Sequence, residues 1–166
     1  MKRKYLTLFS LSGFILSLDQ LTKHFVHSSL SLGESRDLIP GLVALTHARN
    51  SGFALGLLQK APASLQEVFF IGVPVFAAIL IVLIFIKLRD DQMRTSVALT
   101  TILAGAVGNL IDRVRYGYVL DVVDIHWMGA FHLPKANIAD LSIVTGIVLM
   151  FLNTLHQEKH GKLSQT

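Results

Sequence analysis

The chain has 166 residues, of which 52% are hydrophobic and 16% charged, and its mean hydropathy is +0.56. This composition is too apolar and too poor in charge for an ordinary soluble domain, so it predicts an integral membrane protein. The net charge of +4 does not predict nucleic-acid binding, because the basic residues flank apolar segments rather than forming a stripe interleaved with aromatic residues. Anionic lipid head groups are the expected neighbours. The lack of cysteine excludes disulfides and thiol nucleophiles.

The first apolar segment follows a basic N-terminus and covers residues 5–26. Such a start is also typical of a secretory signal peptide, but no small-residue cleavage site follows and the apolar run continues. We therefore predict a first membrane span. Lys23 lies one helical turn beyond Asp19 on the same face, so the two are expected to form an ion pair.

Residues 28–67 are of mixed character and contain several glycines and prolines, so they are expected to lie outside the hydrocarbon. Within this region, residues 42–49 have the composition of a short strand and residues 50–54 that of a turn. Residues 63–67 are interpreted as the start of the next helix.

Three further apolar segments predict three more spans, at residues 68–86, 95–113 and 137–155. The first of these is uncharged and is the clearest span in the protein, despite Pro74. A short charged turn, residues 87–94, precedes the third span. The loop before the fourth span contains residues 118–125, which are rich enough in β-branched side chains to predict a strand.

These segments together predict an all-α polytopic membrane protein that forms one domain over residues 1–166. It has four transmembrane helices and a small extracytoplasmic cap that contains strands. With four spans, one side of the membrane carries Lys2, Arg3, Lys4, Lys87, Arg89, Arg94, Lys159 and Lys162. The positive-inside rule makes that side, with both termini, cytoplasmic. Because the opposite loops also carry basic residues, the assignment depends mainly on the short loop between spans two and three.

With this orientation, polar residues from three spans and two loops reach one level near the outer face. They are Asp19, Lys23, Asn50, Asn109, Asp112, Arg113, Asp121, Asn137 and Asp140. An ionisable residue in a span costs ~2.5–3.5 kcal/mol unless it is paired or faces water. One shared polar site is the most economical explanation of this pattern.

Carboxylates are the reactive groups that the sequence offers at this level. The chain has no Gly-x-Ser-x-Gly elbow and no His-Glu-x-x-His helix, and its histidines show no recognisable ligand spacing, so neither a metal nor a cofactor is expected. Two carboxyl groups in one site do not ionise together easily, so one holds a proton while the other acts as a base that activates water for amide hydrolysis. Asp121 and Asp140 are the candidate pair. In a strand Asp121 and Asp124 face opposite ways, and periodicity alone does not choose between them.

Five blocks of the sequence resemble, in order, the bacterial lipoprotein signal peptidases (signal peptidase II). They are residues 19–23 (DQLTK), 50–54 (NSGFA), 108–113 (GNLIDR), 119–124 (VLDVVD) and 137–140 (NIAD). The resemblance covers almost the whole chain. It implies an aspartic endopeptidase of the bacterial inner membrane, with its active site at the outer face. Such an enzyme removes signal peptides from diacylglyceryl-modified prolipoproteins by cleaving before the lipidated cysteine.

The resemblance also implies roles for particular residues. It makes Asp121 and Asp140 the catalytic pair. It gives supporting or substrate-binding roles to Asp19, Lys23, Asn50, Asn109, Arg113 and Asn137, with no metal or cofactor. The expected partners are lipidated prolipoproteins and membrane lipids, without nucleic acid, and the expected state is a monomer. Leu55 and Ala136 stand where the family often has Phe, a difference that concerns the shape of the pocket rather than its chemistry.

The candidate residues also have plainer structural interpretations. Asn137 and Asp140 have the spacing of a helix N-cap and an acidic third residue, and both roles are compatible. Asp121 alone is typical of a solvated loop carboxylate, and Asp19 with Lys23 is typical of a neutralised pair that eases a helix into lipid.

Two functions of other classes compete with a peptidase. A proton-coupled carrier requires polar groups at several depths, and the inner halves of these spans offer almost none. A non-catalytic scaffold would pair helices through Gly105 and Gly108, whose small size is expected to permit close helix contact. We expect Asp112 to tie helices together rather than to react.

Overall fold

The structure is a computed structural model that describes residues 2–51, 62, 65, 68–127 and 131–163. The described part is mostly helical, with four long helices and one small sheet. The helices are α1 (Arg3–Ser29), α2 (Val73–Lys87), α3 (Met93–Tyr116) and α4 (Ile138–Leu163). The strands are β1 (Ser35–Ile39), β2 (Val43–Asn50), β3 (Val119–Trp127) and β4 (Phe131–His132).

One π-helical turn, Val68–Gly72, leads into α2. Pro74 follows one residue after this turn, as the second residue of α2. Proline has no N–H and its ring crowds the carbonyl four residues earlier, so the wider turn accommodates it without breaking the helix. Most of the predicted turn at residues 50–54, most of the predicted helix start at residues 63–67, and Leu55 lie outside the described residues.

Three described helices are long and apolar enough to cross a membrane: Val68–Lys87, Met93–Tyr116 and Ile138–Gln157. The span Val68–Lys87, which combines the π-helical turn and α2, is the most apolar, with a mean hydropathy of 3.1, and only 6% of its apolar window is buried, as expected for a helix that faces lipid. Half of the apolar window of α3 is buried, so α3 is the central helix of the bundle. α1 is as long as these helices but contains Asp19 and Lys23 as well as basic and hydroxyl residues, which lower its hydropathy.

Contacts at both ends of the bundle establish the helix directions. Near the start of α1, the Lys4 ammonium donates to the carbonyl oxygens of Ile86 (3.1 Å) and Leu88 at the end of α2. Near the other end, Lys23 donates to Asn109 Oδ1 at 3.2 Å. α1 therefore runs parallel to α3, and α2 and α4 run antiparallel to them.

Glycines allow α3 to pack closely against its neighbours. A Cβ atom at Gly105 would overlap the carbonyl oxygen of Ala139 in α4, and one at Gly108 would lie 2.8 Å from Asp19 Oδ2 in α1. At Gly105 the overlap is with backbone, so α3 and α4 would have to separate to accommodate a methyl group, whereas at Gly108 the Asp19 carboxylate would have to move. The prediction that these two glycines permit helix contact is confirmed.

The sheet is antiparallel in the order β1-β2-β3-β4 and lies over one end of the bundle. The predicted strands at residues 42–49 and 118–125 are confirmed as β2 and β3, whereas β1 and β4 were not predicted. Leu120 and Val122 of β3 pack on Val26 and Leu30, at the end of α1. Because strand side chains alternate, this contact turns Asp121 to the opposite face.

Candidate active site

Asp121 lies on β3 and is almost completely buried, with 3% of its surface exposed. Its two carboxylate oxygens accept hydrogen bonds from different elements. Asn50, at the end of β2, donates to Oδ2 at 3.1 Å, and Asn137, directly before α4, donates to Oδ1 at 3.3 Å. Two side-chain amides therefore hold the carboxylate in one orientation.

Asp140 lies in the first turn of α4 and also accepts two hydrogen bonds. The Asn109 amide on α3 donates to its Oδ1 at 2.7 Å, and the backbone N–H of Asn137 donates to its Oδ2 at 3.2 Å. The Asp140 N–H donates in return to Asn137 Oδ1 at 2.8 Å. This reciprocal pair is a capping box, so the predicted N-cap is confirmed.

Asn137 connects the two aspartates. Its side-chain amide binds Asp121 while its backbone N–H binds Asp140. The preceding residue, Ala136, holds this segment against β3, because its carbonyl oxygen accepts from the Val122 and Val123 N–H groups at 2.9 Å. These hydrogen bonds use only the backbone of Ala136, so they do not depend on which side chain is present at this position.

Lys23, Asp19 and Asp112 form a buried group of three charges next to the two aspartates. The Lys23 ammonium lies 2.8 Å from Asp19 Oδ2 and 2.8 Å from Asp112 Oδ2. Its bond to Asn109 Oδ1 orients that amide, so that the amide nitrogen faces Asp140. The expected pairing of Asp19 with Lys23 is confirmed. Asn109 connects this pair to Asp140, because it binds Lys23 through its oxygen and Asp140 through its nitrogen.

Two of these carboxylates also hold backbone in place. Asp19 Oδ1 accepts from the Ala139 N–H at 2.9 Å, at the start of α4. Asp112 Oδ2 accepts from the Leu120 N–H at 3.1 Å, next to Asp121. Asp112 thus ties α1, α3 and β3 together, as expected.

Gln20 is a member of the site that sequence reasoning missed. Its amide lies 3.1 Å from Asp19 Oδ2, 3.2 Å from Asp112 Oδ1 and 3.3 Å from the Gly108 carbonyl oxygen. A polar residue next to Asp19 in an apolar segment was the sequence feature that could have indicated its place in the site.

Arg113 lies at the edge of the site. Its guanidinium is centred 4.9 Å from the ring of Phe70, and its charge interacts with Asp140 and Asp112. Within the described part of the chain it forms no ion pair with Asp121 or Asp140.

The surroundings of Asp121 alter its pKa. Burial, reinforced by the negative charge of Asp140, raises the pKa of Asp121 from 3.8 to about 6, against the opposing effect of the hydrogen bonds from Asn50 and Asn137. The environment of Asp121 therefore favours its protonated form.

Asp124 lies outside this site. Its carboxylate faces His126, His132 and Lys135 at 3.8–3.9 Å rather than the asparagines. The expectation that only one aspartate of β3 enters the site is confirmed.

The fold and the site define a membrane-embedded helical enzyme with a strand-bearing cap over a buried group of carboxylates and amides. Comparison with known proteins identifies the family. Residues 11–156 match the family model of signal peptidase (SPase) II. The chain is 38% identical to the lipoprotein signal peptidase of Syntrophus aciditrophicus over 96% of this chain and 98% of that protein. It is 40% identical to that of Geobacter metallireducens, over 96% of both chains.

Solved structures agree with this assignment. A chain described as "Bacterial membrane enzyme structure by the in meso method at 1.9 A resolution" superposes with a TM-score of 0.79 at 33% identity, covering 90% of this chain and 92% of that one. The protein belongs to the signal peptidase II family. It is a membrane protease that cleaves signal peptides from prolipoproteins.

Proposed function

We propose that the protein is an aspartic endopeptidase in which Asp121 and Asp140 form the catalytic pair. The observation that carries the proposal is the connection through Asn137, which joins two carboxylates from separate elements within one buried site. The family cleaves peptide bonds, and paired carboxylates are groups that can activate water for this reaction.

The two aspartates take different roles in this mechanism. Ionised Asp140 accepts a proton from the water that attacks the scissile carbonyl, while protonated Asp121 donates a hydrogen bond to the carbonyl oxygen. Collapse of the tetrahedral intermediate breaks the C–N bond, and the amine leaves with a proton from the pair. The raised pKa of Asp121 supports its role as proton holder.

The surrounding residues hold this pair and the substrate. Asn50 and Asn137 fix the carboxylate of Asp121, and Asn109 fixes that of Asp140 through its own bond to Lys23. Asp19 positions the first turn of α4. Arg113, at the edge of the site, is suited to orienting the substrate backbone.

The substrate is a diacylglyceryl-modified prolipoprotein that is cut before its lipidated cysteine. Each buried methylene contributes ~0.8 kcal/mol, so two acyl chains can hold the scissile bond at the depth of the site without a large protein groove. The exposed apolar side chains of the helices, such as Phe14, Phe76 and Phe151, offer a surface for lipid.

α1 is the fourth membrane span in this proposal. Its 27 residues are long enough to cross a bilayer, and its charged residues at 19 and 23 are buried against α3 rather than exposed to lipid. The single domain then works as a monomer in the bacterial inner membrane. Its termini are cytoplasmic and its active site is at the outer face.

Cleavage of a purified prolipoprotein in detergent tests the mechanism and the substrate together. The protein should cut the diacylglyceryl form in the presence of a metal chelator, and should cut the same peptide without lipid far more slowly in the same micelles. Loss of cleavage under chelation would contradict an aspartic mechanism. Equal cleavage of both substrates would contradict the role of the lipid.

A further inference from the structure

A second group of titratable side chains lies at the outer edge of the sheet, on Asp124, His126 and His132. Their ligand atoms all lie within 4.8 Å of one another. Asp124 and His126 are two residues apart on β3 and so share one face, and His132 of β4 is the direct cross-strand partner of His126. The sequence did not predict β4, which is why the spacing of the histidines gave no sign of this group.

The geometry of the group is convergent. The Nδ1 atoms of His126 and His132 each lie 3.8 Å from the same oxygen, Asp124 Oδ1, and the two imidazole rings stack at 5.4 Å. Asp124 and His126 are largely buried, at 15% and 16% side-chain exposure, whereas His132 is 59% exposed. The group therefore has a protected inner side and one side open to solvent.

His126 supplies an independent indication of a ligand. Its Nδ1 atom is buried and has no hydrogen-bond partner among the described residues. A buried ring nitrogen without a partner is costly, and 3.8 Å is too long for a hydrogen bond to Asp124. A cation between the three ligand atoms would satisfy this nitrogen.

The distances suit a small divalent cation. Four-coordinate zinc with bonds of ~2.0–2.1 Å requires ligand atoms ~3.3 Å apart. Each imidazole nitrogen would need to approach Asp124 Oδ1 by about 0.5 Å, the difference between this spacing and the observed 3.8 Å, and the three ligand atoms all lie within 4.8 Å of one another. Water would complete the coordination on the open side.

Lys135 is the one cation already near the group in the described chain. Its ammonium lies 3.9 Å from Asp124 Oδ2, whereas the two histidines lie 3.8 Å from Oδ1, and it also donates to Thr46 Oγ1 at 3.5 Å. It leaves Oδ1 available to a metal.

We propose that Asp124, His126 and His132 form a binding site for a divalent cation of the zinc class, separate from the catalytic aspartates. Two imidazoles and one carboxylate favour zinc or its borderline neighbours over magnesium or calcium, which prefer oxygen ligands. The bound ion joins β4 to β3 at the edge of the cap.

Isothermal titration of the full-length, tag-free protein in detergent with zinc chloride tests this site. The pH should lie above ~7, where imidazole is largely neutral. The wild type should bind one zinc ion in the presence of excess magnesium. His126→Gln and His132→Gln should each weaken binding at least about tenfold, since even residues behind a ligand contribute this much.

The matched control is His24→Gln, which changes an exposed histidine on α1 and should bind zinc as the wild type does. His132→Gln alters an exposed side chain, so the variant should keep normal peptidase activity. Normal activity would show that this variant is folded. Absence of zinc binding by the wild type, or undiminished binding by the His126→Gln/His132→Gln double variant, would overturn the proposal.

Discussion

The side-chain amide of Asn137 donates to Asp121 Oδ1 at 3.3 Å, from the residue whose backbone N–H also holds Asp140. One residue thus fixes the two carboxylates relative to each other and caps α4 at the same time. Its contributions to the helix cap and to the orientation of Asp121 can be separated, because the cap uses the side-chain oxygen and the bond to Asp121 uses the side-chain nitrogen.

We predict that Asn137→Ala lowers both stability and activity, whereas Asn137→Ser restores stability alone. Serine supplies a capping oxygen, worth about 1 kcal/mol, but is too short to replace the amide bond to Asp121. Thermal unfolding and cleavage rates of both variants in detergent provide the measurement. Full activity in Asn137→Ser would show that the bond to Asp121 is unimportant.

Lys23→Met should destabilise the protein strongly. Lys23 is 4% exposed and is bound to two buried carboxylates, so its loss leaves buried charge without compensation at a cost of about 3–5 kcal/mol. The matched control is Arg36→Met, which breaks the exposed Arg36–Glu34 pair and should cost no more than about 1 kcal/mol. Similar unfolding midpoints for the two variants would contradict a structural role for this buried group of three charges.

Gly105→Ala should separate α3 from α4 and reduce stability by about 1–3 kcal/mol, because the new methyl group meets the backbone carbonyl of Ala139. Gly13→Ala is the control, and it should change stability in the opposite direction. Gly13 is in α1 with no neighbouring atom within 4 Å of a Cβ, so alanine there should stabilise the helix by about 1 kcal/mol. Thermal unfolding distinguishes the two, and an equally stable Gly105→Ala variant would rule out close packing at that position.

The rate of cleavage should depend on the proton of Asp121. Its pKa of about 6 is above the usual range, so the protonated, active form is lost as the pH rises through that value and kcat/KM should fall. The corresponding fall in kcat should occur at higher pH than the fall in kcat/KM, because bound substrate excludes water and further disfavours the ionised form of Asp121. A flat kcat/KM between pH ~5 and ~8 would contradict this assignment; Asp124→Asn should leave the profile unchanged.

Local signals in the sequence predicted the helices, one ion pair and one helix cap. Apolar runs located α2, α3 and α4, and the four-residue spacing of Asp19 and Lys23 predicted their ion pair. Asn137 and Asp140 were interpretable as a cap for the same reason. In these cases the partners are close in the chain.

Features that depend on distant pairing were missed. β1 and β4 are short, and β4 is recognised only by its register with β3, so the approach of His132 to Asp124 had no local signature. Gln20 reaches Asp112 across two helices. The family resemblance, and not the strand pattern, selected Asp121 over Asp124. In the structure, Leu120 and Val122 pack on α1, and this contact turns Asp121 to the opposite face of β3.

The central claim is that Asp121 and Asp140 are the catalytic pair, and the initial rate of cleavage of a diacylglyceryl prolipoprotein tests it most directly. Asp121→Asn and Asp140→Asn nearly preserve side-chain size but remove the exchangeable carboxyl proton, so each should lower the rate by at least about 10²-fold while the protein remains folded. Asp124→Asn, on the same strand, should keep most of the wild-type rate. A wild-type rate in either Asp121→Asn or Asp140→Asn, or an equally inactive Asp124→Asn, would contradict the account.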